Sequence, residues 1–64
     1  MWTTVYISQT AEEAGKIRAI LEENGIIVKN RRVSNPDNGE CYFDILVPSK
    51  EVPEAHGLII DAEL

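Results

Sequence analysis

Three groups of chain-breaking residues constrain what this chain can fold into: Asn24-Gly25, the stretch SNPDNGE at 34–40, and Pro48. Each marks a turn or an element end for its own backbone reason, glycine by reaching positive φ and proline by lacking an amide. What lies between them is long enough only for single strands and helices. Residues 2–8, WTTVYIS, are β-branched and aromatic and predict a first strand. Thr10 followed by Glu13 has the spacing of a capping box, so a helix should run from Ala11 to about Asn24. Its Ala14, Ile17, Ile20 and Leu21 recur at helical steps and form one apolar face, while Glu12, Lys16, Ala19 and Glu23 turn away. Glu12 stands four residues before Lys16, the favourable orientation for a surface pair. Asn24-Gly25 then supplies the left-handed stop.

Ile26 to about Ser34 reads as a second strand. Cys41 to Val47 reads as a third, in which Cys41, Phe43, Ile45 and Val47 alternate with Tyr42, Asp44 and Leu46. The third is the most apolar and belongs at the centre, and SNPDNGE joins the two as a hairpin with a long tip. Pro48 closes the third strand. Ser49 or Val52 is positioned to cap a last helix, with Pro53 in its first turn and Val52, Ala55, Ile59 and Ala62 as its apolar stripe. The run GLII at 57–60 is also compatible with a short fourth strand.

The order β-α-β-β-α makes residues 1–64 one α+β domain. It is a truncated ferredoxin-like unit whose three-stranded antiparallel sheet runs 1-3-2, with both helices on one face. The position beside the first strand is then vacant, and a bare sheet edge invites pairing with another chain.

Composition narrows the function. A single cysteine forms no internal disulfide, and one cysteine with one histidine cannot complete a four-ligand zinc site. No Gly-rich phosphate loop, nucleophile elbow or metal-binding histidine pair is present, so neither a cofactor nor catalysis is expected. The formal charge of −5 opposes nucleic acid and anionic lipid, and no apolar run is long enough for a membrane span. A chain without a basic leader is expected to be cytoplasmic.

Two stretches, VYISQTAEEAGKIRAILEENGI and DILVPSKEVPEAHGLI, together resemble the small bacterial proteins grouped as prokaryotic signal-transducing proteins of unassigned function. The resemblance covers nearly the whole chain. It implies a fold similar to the ferredoxin-like fold of the nitrogen-regulatory P-II proteins and a regulatory role without catalytic residues. The long basic nucleotide-binding loop of the P-II proteins has no counterpart here.

Four candidate sites follow from the pattern. Cys41, in step with Phe43, Ile45 and Val47, should be a buried inert thiol; the sharper alternative is a thiol activated by Arg31, Arg32 or His56. His56, beside the second stripe, has no evident partner for acid-base work. Lys29, Arg31 and Val33 share one strand face with Arg32 on the other; they either guard an edge strand or hold a small anion at Arg31, Arg32 and the 34–40 loop. Finally, Trp2, Tyr6, Tyr42 and Leu46 are expected on the sheet face that the helices leave open. RNA stacking on those aromatics is disfavoured by Asp44 and the acidic chain. The expected function is a noncatalytic regulatory or protein-interaction module, a homodimer or the receiver of another protein, with a small anionic ligand as the alternative.

Overall fold

The computed structural model describes residues 1–62. Its elements are β1 (Trp2–Ser8), α1 (Ala11–Glu23), β2 (Lys29–Asn35), β3 (Glu40–Pro48), a short 3₁₀ turn (Ser49–Glu51) and α2 (Val52–Asp61). The three strands form one antiparallel sheet in the order β1-β3-β2. This is the predicted α+β arrangement, and among the described residues no fourth strand lies beside β1.

The core is built where the three apolar patterns meet. Ala14, Ile17 and Leu21 of α1, Ile45 and Val47 of β3, and Ala55 and Ile59 of α2 are buried in one cluster with Ile26. Ile45 and Val47 are two residues apart on a strand and so face the same way, which puts both helices on that side of the sheet. Ile17, Leu21, Ile45 and Val47 are fully inaccessible. Truncating one of them to alanine would cost about 2–5 kcal/mol, because a short chain has little means of closing the cavity.

Residues 26–28 do not extend β2 as the β-branched run suggested. Gly25, at φ 78°, takes the left-handed conformation after α1. Its amide donates to the Glu22 carbonyl, and that of Ile26 donates to the Leu21 carbonyl (both 3.0 Å). This is a Schellman motif, whose accompanying apolar contact joins the residue after the glycine to the last turn. Ile26 and Leu21, both buried, are that pair. The cap therefore claims Ile26, and the ladder starts only at Lys29.

The hairpin tip is shorter than predicted. The ladder continues to Asn35 opposite Glu40, leaving only residues 36–39 as loop. The Gly39 amide donates to the Asn35 carbonyl (2.9 Å) with Gly39 at φ 71°, and the Asn35 and Asn38 side chains accept from the amides of Asp37 and Glu40. Such side-chain turns are the reason asparagine is favoured there.

Residues 57–60 are helical, within α2. Pro53 sits in its first turn as expected, but neither Ser49 nor Val52 caps it. The Ser49 hydroxyl bonds instead with Thr3 Oγ1 (2.7 Å) and the Met1 carbonyl (3.1 Å), tying the turn after Pro48 to the start of β1.

Candidate interaction face

Uninterrupted alternation along β1 would set Trp2, Thr4, Tyr6 and Ser8 on one side of the sheet. The pairing is interrupted: Thr4 lies opposite Leu46, but Tyr6 lies opposite Ile45, so Val5 is an extra residue, a β-bulge. A bulge of this kind shifts the pattern by one and moves every later side chain to the other face. Tyr6 therefore does not join the open face as its spacing suggested. It packs with Val5 against the core.

The Tyr6 hydroxyl donates to Glu13 Oε1 (2.8 Å). This bond rearranges the capping box. Thr10 Oγ1 accepts from the Glu13 amide (3.1 Å) as predicted, but the Glu13 carboxylate is taken by Tyr6, and the Thr10 amide turns to Ser8 Oγ (3.3 Å). Ser8 also donates to the Thr10 carbonyl (2.8 Å), which explains how a hydroxyl is tolerated at full burial. The bond to Glu13, followed by desolvation and the carboxylate charge, raises the Tyr6 phenol above its ordinary pKa.

The bulge places Ile7, not Tyr6, on the face opposite the helices, across from Asp44. Trp2, Tyr42 and Leu46 occupy that face as their spacing indicated. Ile7 is 58% exposed and Trp2 41%, while Tyr42 and Leu46 are half-buried. Two interactions cross the same face. Arg31 lies opposite Asp44 in the ladder, and its Nη2 reaches Asp44 Oδ2 at 2.7 Å. The Asp44 side chain is only 8% exposed against 63% for Arg31, so the carboxylate is covered by its neighbours and compensated from the strand beside it. Lys29, opposite Leu46, extends across β3 until its Nζ lies 5.1 Å from the centroid of the Trp2 ring, a cation–π contact. The Arg31–Asp44 pair was not foreseen. The hairpin register, with Ser34 opposite Cys41 and Asn35 opposite Glu40, is what brings 31 and 44 together.

Arg32 lies on the other face, as its position in the strand predicts, opposite Phe43. Its Nε donates to Cys41 Sγ at 3.2 Å. Cys41 is half-buried, not enclosed in the core as expected from its step with Ile45 and Val47. The core cluster reaches Phe43 along β3 but not Cys41. The Arg32 hydrogen bond is the main influence lowering the thiol pKa, with burial opposing it. Cys41 also lines an open groove of about 340 Å³ with Ile7, Gln9, Glu40 and Tyr42, where β3 continues past the end of β1.

The residues of the expected anion site are distributed over both faces of β2 and the hairpin loop. Arg31 and Arg32 point to opposite faces, Arg31 is paired with Asp44, Arg32 is engaged with Cys41, and the amides of Asp37 and Glu40 are taken by the loop's own asparagines. His56 is exposed on α2. Among the described residues no group of three or more His, Cys, Asp or Glu is placed to hold a metal ion, and no helix is long and apolar enough to cross a membrane. Set against known proteins, the chain matches no protein-family model, no curated protein and no solved structure.

Proposed function

We propose that the protein is a noncatalytic regulatory module that engages protein through the open face of its sheet and the free edge of β1. The observation that carries this reading is the one-sided covering of the sheet: both helices pack against Ile45 and Val47, leaving Trp2, Ile7, Tyr42 and Leu46 on the uncovered side. Aromatic and large aliphatic side chains grouped on such a face are the common anchors of protein contacts. The edges of the sheet add a direction. β2 carries Lys29, Arg31 and Arg32, which guard an edge against pairing, whereas β1 has no charged residue.

Self-association as a homodimer fits the β1 edge, with the bulge at Val5 confining regular pairing to the segment on one side of it. The resemblance to bacterial signal-transducing proteins agrees with a regulatory role in the cytoplasm. Photocrosslinking tests the reading. A benzophenone amino acid at Ile7 should capture a protein in cells of the native host, and the same group at Glu12 or His56 on the helical side should not. A product of twice the chain mass identifies the homodimer. Crosslinks confined to the helical positions would overturn the assignment.

A further inference from the structure

The backbone of β1 determines what can be added beside it. In an antiparallel pair, residues whose amide and carbonyl both point at the partner strand alternate with residues whose groups point away. The Ser49 amide donates to the Met1 carbonyl (2.8 Å), and these two residues continue the register in which Trp2 lies opposite Pro48, Thr3 opposite Val47 and Thr4 opposite Leu46. Thr3 is therefore bonded to β3, while the amides and carbonyls of Trp2 and Thr4, both exposed residues, point away from the sheet. Pro48, which has no amide to donate, falls in a pair that needs none. Beyond the bulge the alternation shifts: Tyr6 is bonded to Ile45, and the next outward residue is Ile7, three places after Thr4 instead of two.

We infer that a second copy of this chain adds its β1 antiparallel to this edge with the two-fold axis at Thr3, so that Trp2 pairs with the partner's Thr4 and Thr3 with the partner's Thr3. The inference rests on the reading above that the β1 edge is a contact surface, and it names the occupant and the register. Three observations select them. Trp2 and Thr4 stand symmetrically about Thr3, so the two-fold pair satisfies every outward amide and carbonyl of both, whereas a longer strand would run into the bulge and lose the two-residue spacing. β1 has no charged side chain, so its own copy sets no like charges opposite one another; a self-pair through β2 would set Lys29, Arg31 and Arg32 among their own counterparts. At the axis, threonine faces threonine, a favourable cross-strand pair. Both helical layers then lie on one side of a continuous sheet in the order β2-β3-β1-β1-β3-β2, and the open faces join on the other. A contact this short is weak, so association is concentration-dependent.

The test uses the full chain. Sedimentation equilibrium should show monomer and dimer in exchange, with the emission of Trp2, the only tryptophan, changing in step with mass. Thr4→Pro deletes an amide that points away from β3 and so leaves the β1–β3 ladder whole, as circular dichroism would confirm. It removes one intermolecular hydrogen bond per copy and should weaken association by about ten- to a hundredfold. Thr3→Lys, which sets like charges opposite each other at the axis, should act in the same direction. The register is read with cysteine in a Cys41→Ser background. Thr3→Cys places two thiols in a directly opposed pair, where Cα atoms are close enough for a disulfide, and it should oxidise to a covalent dimer faster than Thr4→Cys, whose thiols lie diagonally apart.

A dimer that forms equally well with Thr4→Pro and Thr3→Lys would overturn the inference, since association would then use another surface. Faster crosslinking through Thr4→Cys than through Thr3→Cys would overturn the register. A monomer at every concentration would overturn the self-pair. Capture of a different protein by the crosslinker at Ile7 would in that case leave the open face standing as a contact surface, and no capture there would remove the earlier reading as well.

Discussion

Replacing Arg31 by methionine keeps most of the aliphatic stem over the sheet and removes the charge that compensates Asp44. The expected cost follows from how unequally the pair is buried. Two exposed partners would contribute about 0.2–1 kcal/mol. A pair buried on both sides costs about 3–5 kcal/mol when one partner is removed. Here the acceptor is 8% exposed and the donor 63%, so solvent can enter where the guanidinium stood but reaches the carboxylate poorly. The cost should fall between these limits, about 1–3 kcal/mol, as for a buried polar group left without its partner.

In a domain this small each kcal/mol shifts the melting temperature by about 4–8 °C, so the loss is readily measured by circular dichroism. Asp44→Asn in the Arg31→Met background should restore part of it, since the uncompensated charge is then gone, and a double-mutant cycle isolates the pair. An Arg31→Met protein that melts with the wild type would refute the reasoning. It would mean that Asp44 is hydrated in the folded chain and that the 31–44 register carries no energetic weight.

The bulge predicts a contrast between neighbours: Ile7→Gln should change stability by less than about 0.5 kcal/mol, as on a surface, whereas Tyr6→Gln should cost several times more, read by urea unfolding. Tyr6→Phe should remove a step in the pH dependence of stability. The raised phenol pKa means its contribution is complete below the unfolded tyrosine value and is lost as pH rises through the folded one. Cys41 should alkylate with iodoacetamide at a midpoint pH below that of an unstructured cysteine peptide, and Arg32→Gln should raise that midpoint. Gly25→Ala should cost about 1–2 kcal/mol by thermal melting, because alanine is strained at its positive φ.

The parts of this fold that were legible in the sequence are those written in local chemistry. Thr10 with Glu13, Asn24-Gly25 and Pro48 mark element ends through hydrogen bonds and dihedral limits that act within a few residues. The alternation of Phe43, Ile45 and Val47 names the face of the central strand. What was not legible depends on partners distant in the chain. Nothing in WTTVYIS marks Val5 as the extra residue, since every residue there suits a strand, and the bulge exists only relative to β3. It alone decides that Tyr6 serves the helix and Ile7 the open face. Ile26 is β-branched and apolar, equally suited to a strand or a cap, and the Schellman bonds to the end of α1 settled it. For Cys41 the periodicity gave the side of the sheet correctly, but not that the core cluster stops short of it.

The functional account depends most on which face Ile7 occupies, and nuclear Overhauser contacts from its δ-methyl group measure that directly. The account predicts contacts to Asp44 and none to Ile17 or Ala55, with the Tyr6 ring in contact with Glu13. Contacts from Ile7 to Ile17 or Ala55, with the Tyr6 ring out among Leu46 and Asp44, would restore the unbroken alternation of β1 and remove the bulge on which both functional proposals stand.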